Sequence, residues 1–378
     1  MNEAKPLYFD YQATTPVDPV VLAAMLPYLS ESFGNPASGH AYGQSARQAV
    51  AKAREQLAKL LHAEAEEITF TASGTEANNL AIKGWVAPKQ RRGEHPHIVT
   101  STIEHPATLA PCKHLASLGC RLTVVTVDRW GVVNLDELKL ALRQPTALVS
   151  IMHSNNEVGT LQPIRAIARL AHEAGALLHC DAAQSVGKVA VNVKELDVDL
   201  LTVVGHKLYA PKGIGALYVR KGIILEPVIH GAGQESGRRA GTENVPYVVG
   251  LGKAAELAQQ SLPQSAGHLP QLRDRLWQGL QAKCGDSVIL NGHPTNRLPG
   301  TLNVSFLGCI GSEFLSRIPE IAASTGSACH EGQVHVSPVL AAMGIAPEIA
   351  RGAVRFSVGR YTTEAEVDQA LQLIVDRL

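Results

Sequence analysis

The sequence predicts an α/β fold: a large unit on a mainly parallel sheet, followed by a smaller α+β unit. Three observations carry this. Between about residues 66 and 220, seven short apolar runs rich in β-branched residues alternate with helical patterns. Most of these runs lack polar alternation, as strands covered on both faces do. After about residue 260 the texture changes to a helix, two strand candidates, a loop of small residues and a closing helix. The length of 378 residues suits this layout, since domains commonly run to about 100–200 residues.

Taken in order, the expected strands are "ITFTA", "HIVTST", "RLTVVTV", "ALVSIMH", "ALLHCD", "LLTVVG" and "GALYV". The helical segments between them are "GTEANNLAIKGWVA", "PATLAPCKHLASLG" and "QPIRAIARLAHEAG"; the last two end in Gly, a frequent helix terminator. Beyond them, "HLPQLRDRLWQGLQAKC" reads as helix, "SVILNG" and "TLNVSF" as strands, and "TEAEVDQALQLIVDRL" as the final helix. The Pro-containing "SLPQSAGHLP" is expected near the seam between the units. There is no internal repeat and no low-complexity segment.

Composition narrows the function classes. With 34 basic and 34 acidic side chains there is no net charge to recruit nucleic acid or an anionic membrane. No apolar run reaches the roughly 18 residues of a membrane span. The six cysteines form neither a CxxC pair nor a Cys/His group at zinc spacing, and the N-terminus does not read as a signal peptide. A reducing, cytoplasmic setting and either a small ligand or a specific protein partner are expected.

Three pieces carry chemistry. "SGTEANN" follows a strand and opens a helix, so its free N–H groups and dipole suit a phosphate; alone it is equally an ordinary N-cap at Thr75. No Walker A pattern accompanies it, because the Gly187-Lys188 pair lacks the earlier Gly and the following Ser or Thr. Asp181, in "HCDAAQSVGK", ends an apolar strand, where ligands of such sheets bind, although a loop or capping acid is the plain alternative. Lys207, in "VVGHKLYAPKGIG", follows the next strand; a lone lysine is usually solvated surface. Together, a phosphate cradle, an acid for a pyridinium nitrogen and a lysine for a Schiff base are what pyridoxal phosphate needs.

At these motifs the chain resembles the cysteine desulfurases, class V fold-type I pyridoxal phosphate enzymes. "YFDYQATTPVDP", "FGNPAS", "FTASGTEANNLAIKG", "IEHPAT", "SIMHSNNEVG", "HCDAAQSVGK", "GHKLYAPKGIGALY", "GTENVP", "STGSACHEG" and "VRFSVGR" occur in that family's order, nearly end to end. The resemblance implies a fold-type I transferase with a seven-stranded, mainly parallel sheet in a large domain, 16–261, and a small domain of 1–15 and 262–378. It implies pyridoxal 5'-phosphate as cofactor, with Lys207 as the Schiff-base lysine and Asp181 on the ring nitrogen. His105 would stack on the ring and serve proton transfer, Gln184 would bond the phenolic oxygen, and Gly74, Thr75 and His206 would hold the phosphate. Thr242 would reach the phosphate of the other subunit of a homodimer. Asn35, Asn156 and Arg355 would grip the substrate amino acid, Arg355 by its carboxylate, and Asn156 would also bind the cofactor. Without the family, His105 reads as a loop histidine, Arg355 as a structural ion pair and Asn35 as a turn residue.

The resemblance implies that L-cysteine is converted to L-alanine and that Cys329 takes the sulfur as a persulfide, for delivery to an acceptor or scaffold protein in iron–sulfur cluster assembly or thio-modification. The small residues around Cys329 suit a loop that moves between cofactor and partner. His330 or His335 would assist its ionisation, or are plain surface residues. Cys180, next to Asp181, is the one other cysteine expected near the cofactor. One departure is Val204, where many family members carry Ser or Thr. With "GTENVP" and "ACHEG", it resembles the selenocysteine lyase branch, so release of selenium from L-selenocysteine is the alternative. A class V aminotransferase is more distant, since it would leave Cys329 without purpose.

Overall fold

The computed structural model describes residues 5–326 and 336–378. Its strands are β1 (Leu7–Tyr8), β2 (Ile68–Thr71), β3 (His97–Ser101), β4 (Arg121–Val125), β5 (Leu148–Met152), β6 (Leu177–Asp181), β7 (Leu200–Val204), β8 (Gly215–Val219), β9 (Val288–Asn291), β10 (Thr301–Phe306), β11 (Ile321–Ala322) and β12 (Ala353–Ser357). All seven runs expected between residues 66 and 220 are strands of one sheet, in the order β2-β8-β7-β6-β5-β3-β4. Only β8 runs against its neighbours; the other pairings are parallel. β2, β3, β5, β7 and β8 are buried at every residue, which is why they read as continuous apolar runs. The exception is "RLTVVTV": β4 lies at the sheet edge with only Val125 fully buried, and Arg121 and Val124 are exposed.

The helices Gly74–Arg91, Pro106–Ser117 and Ile164–Glu173 fall where the periodicity puts them. The last two release the chain through Gly119 and Gly175, both at positive φ, a conformation that costs glycine little. The C-terminal part adds an antiparallel sheet, β12-β10-β9, and the parallel pair β1-β11. The final helix, Glu364–Val375, starts from a reciprocal cap between Thr363 and Glu366.

The expected seam is where the structure departs from the pattern. "SLPQSAGHLP" lies inside a continuous 40-residue helix, Val245–Cys284, with Pro263 and Pro270 in its interior. This helix leaves one hydrophobic core, packed through Leu251, Ala254, Ala255 and Ala258, and enters a second through Leu269, Leu272, Leu276 and Leu280. Packing at both ends outweighs the local cost of proline. Phe9, from the N-terminal segment, belongs to the second core, with Phe306, Phe314 and Phe356. Among the described residues, no helix is long and apolar enough to cross a membrane.

Candidate active site

One cavity opens where β5, β6 and β7 end and the helix Gly74–Arg91 begins. Parallel strands deliver their C-terminal ends to the same side, so residues far apart in sequence meet there. Gly74, Thr75, His105, Asn156, Asp181, Gln184, His206 and Lys207 all line it.

Asp181 is the last residue of β6 and is 7% exposed. One carboxylate oxygen accepts the Ala183 N–H at 3.0 Å. The other accepts the Asn78 side-chain amide at 2.8 Å. Asn78, which also donates to the Thr108 hydroxyl, fixes the carboxylate plane. Lys207 ends a short turn, Gly205–Lys207, directly after β7. Burial lowers its pKa to about 8; the Asp181 carboxylate opposes the shift and the Arg355 cation adds to it. Such an amine is partly unprotonated near neutral pH.

His105 caps the helix Pro106–Ser117, its Nδ1 accepting the Ala107 N–H at 3.1 Å. That bond places the ring proton of the neutral form on Nε2. Burial, then the Lys207 cation, hold the ring below the usual histidine range, against a weaker pull from Asp181. His206 is lowered to about 4 by burial and the cations of Lys207, Lys212 and Lys188. Its Nδ1 lies 3.2 Å from the Thr14 hydroxyl.

At the helix start, the cap is Ser73 rather than Thr75: the Ser73 hydroxyl accepts the Glu76 N–H at 3.1 Å. Gly74 and Thr75 therefore sit in the first turn, whose N–H groups lack intrahelical acceptors. A side chain at Gly74 would come within 2.4 Å of a Val204 methyl. Val204 thus closes the cradle with hydrocarbon, and only a residue without Cβ fits opposite.

Three expected residues do not line this cavity. Arg355, on β12 and 8% exposed, donates through Nη1 to the Asn156 carbonyl and through Nη2 to Asp10, both at 2.7 Å. Its buried Nε has no partner among the described residues. Asn35 is exposed and accepts the Ala37 N–H at 2.9 Å, as a turn residue does. Thr242 lines a neighbouring cavity that shares Gly213 and Ile214 with the first. Cys329, His330 and His335 lie outside the described residues. Cys180 is fully buried in the main core and is not among the lining residues. Among the described residues, no cluster of His, Cys, Asp or Glu could hold a metal ion.

The sequence reading missed Asn78, Glu104, Asp10 and Lys188. Asn78 carried a usable signal, since it stands four residues after Gly74 on one helical face. Glu104, beside His105, is 4% exposed and accepts the Ser101 hydroxyl at 2.6 Å and the Met152 N–H at 3.0 Å. Burial raises its pKa to about 8 against those bonds. Nothing in "IEHPAT" marks it as buried.

Comparison with known proteins agrees with this geometry. The family described as aminotransferase class-V matches residues 7–370. The chain is 50% identical over 377 residues to "Cysteine desulfurase 2" of Trichormus variabilis, covering 98% of this chain and 94% of that protein. It is 45% identical to "Cysteine desulfurase IscS" of Dictyoglomus turgidum, with the same coverages. Among solved structures, a NifS-like protein superposes with a TM-score of 0.92 at 39% identity over 98% of both chains. A structure titled "SspA in complex with cysteine" does so with a TM-score of 0.81 at 38% identity, covering 94% of this chain and 99% of that one. Likeness at this level, over nearly the whole length and around a cavity holding Lys207 and Asp181, shows that the chain is an enzyme of the aminotransferase class-V family and belongs to its cysteine desulfurases.

Proposed function

We propose that this enzyme uses pyridoxal 5'-phosphate to convert L-cysteine to L-alanine, moving the sulfur to Cys329 as a persulfide. The observation that carries the reading is the meeting of Lys207, Asp181 and the helix start at Gly74 in one cavity. The residues present fit the cofactor. A first helical turn faces the cavity for a phosphate, a carboxylate stands ready for a protonated ring nitrogen, and the Lys207 amine is partly neutral. Bound there, the cofactor supplies an electron sink for charge that develops at the substrate Cα.

The protein's own groups do the rest. Lys207, partly neutral, takes and returns the Cα proton, and His105 presents Nε2–H beside it. Arg355, its guanidinium set by Asp10 and the Asn156 carbonyl, pairs with the substrate carboxylate, and Asn156 is positioned by the same guanidinium. In the sulfur step the substrate C–S bond breaks, an S–S bond to Cys329 forms, and a proton equivalent to that of the Cys329 thiol ends on alanine.

The core change between Ala258 and Leu269 supports a large unit of 16–261 and a smaller one of 1–15 with 262–378. The place of Thr242, outside the cavity but next to it, supports service to the partner's phosphate in a homodimer. Delivery of sulfur to an acceptor or scaffold protein in the cytoplasm, for iron–sulfur clusters or thio-modification, completes the reading.

The test is alanine and persulfide formation from L-cysteine by the cofactor-loaded enzyme. Both should occur in the wild type, and Cys329→Ala should abolish the persulfide. Undiminished turnover in Cys329→Ala would contradict the sulfur step. A strong preference for L-selenocysteine over L-cysteine would favour the lyase.

A further inference from the structure

The Gln184 side chain, 4% exposed, is held from two sides. Its Oε1 accepts from the Lys188 ammonium at 3.1 Å, and its Nε2 donates to the Gln12 carbonyl at 3.1 Å. An ammonium has only hydrogens to offer, so the amide cannot flip without losing both bonds. Gln184 also lines the main cavity, beside Asp181 and Lys207, leaving its second Nε2 hydrogen for whatever binds there.

Lys188 sits on the far side of Gln184, in a smaller cavity it lines with Gln12, Thr15, Tyr209, Ser357 and Arg360. Among the described residues no carboxylate lines that cavity, and Asp18 is engaged with Arg360 at 2.9 Å. The Gln12 amide, 2% exposed, has no hydrogen-bond partner at either atom among the described residues. The cations that act on Lys188 are Lys207 and Arg355; burial and then these two bring its pKa down to about 7. A cation so placed, with no counter-ion lining its own cavity, is stabilised by negative charge arriving on the other side of Gln184.

We propose that Lys188 is a positioning residue of the active site: through Gln184 it aims an amide N–H at the phenolic oxygen of the bound cofactor and keeps positive charge behind that bond. This rests on the reading that the cavity holds pyridoxal phosphate. Arginine preserves both the charge and the bond; methionine preserves only the bulk.

The test is a pH titration of the visible absorption of the cofactor-loaded enzyme. Lys188→Met should retain the band, with its pH midpoint raised by about one unit, because a nearby cation disfavours the protonated form and its removal favours it. Lys188→Arg should stay near the wild type. The Lys188→Met shift should shrink in a Gln184→Ala background. A midpoint equal to the wild type, or a shift undiminished without Gln184, would overturn the proposal. A merely structural lysine would instead lower the thermal midpoint of cofactor-free Lys188→Met and leave the band unchanged; Lys188→Gln supplies the same comparison if the Met variant does not fold. A wild type with no visible band that Lys207→Ala removes would sink the cofactor reading itself.

Discussion

Nη2 of Arg355 lies 2.7 Å from an Asp10 carboxylate oxygen, although the residues stand 345 positions apart. The other Asp10 oxygen accepts the Ser324 hydroxyl at 2.7 Å, so one acid steadies both the guanidinium and the chain just before residues 327–335. With Nη1 on the Asn156 carbonyl, the guanidinium plane is set, and its buried Nε has no partner among the described residues. Lysine cannot reproduce that fork. Arg355→Lys should raise the KM for L-cysteine about tenfold or more, equivalent to ~1.4 kcal/mol, while the visible band stays. An unchanged KM would remove Arg355 from substrate binding.

Asn78 is 1% exposed and donates to both Asp181 and Thr108. Asn78→Ala leaves a buried carboxylate oxygen without its donor, at a cost of about 1–3 kcal/mol. The cofactor-free variant should melt several degrees lower. Equal melting temperatures would show that the bond contributes nothing to the fold.

Glu104 supplies a pH dependence with a defined sign. Its folded pKa is raised to about 8 from an ordinary 4.5. The folded state therefore holds a proton that the unfolded state has lost across that window, so stability declines as pH rises from about 4.5 through 8. Glu104→Gln keeps an acceptor for Ser101 and Met152 and cannot ionise. Denaturant unfolding should show a flatter pH profile for the variant, with its advantage greatest at pH 8. Parallel profiles for variant and wild type would refute the assignment.

Val204 faces Gly74 where a phosphate is expected. Val204→Thr keeps the shape and adds a hydroxyl, and a hydrogen bond to a charged group contributes about 1.5–3 kcal/mol. Equilibrium dialysis should show pyridoxal phosphate bound about tenfold more tightly. Unchanged or weaker binding would mean that the hydroxyl does not face the phosphate.

Much of the site was legible because its parts are local. Lys207 and Asp181 end strands that the apolar runs already delimit, and Gly74 opens a helix that its neighbours announce. Glu104 and Lys188 were not legible as site residues, because what singles them out is burial beside groups on other elements. Continuity of the helix through the expected seam was hidden for a related reason: two prolines and a polar run argue against helix locally, but cores at both ends hold the helix through them.

By itself, then, the sequence determined the seven strands, the family and the cavity positions of Lys207, Asp181 and Gly74, since apolar runs, strand ends and motifs are properties of short stretches. Tertiary structure alone decided that Asp10 is the acid holding Arg355, that Ser73 rather than Thr75 caps the helix that opens at the cavity, and that Lys188 stands behind Gln184 with no carboxylate lining its cavity among the described residues. Those are pairings between distant segments, and a side chain's partner and its dielectric surroundings exist only once the chain has folded.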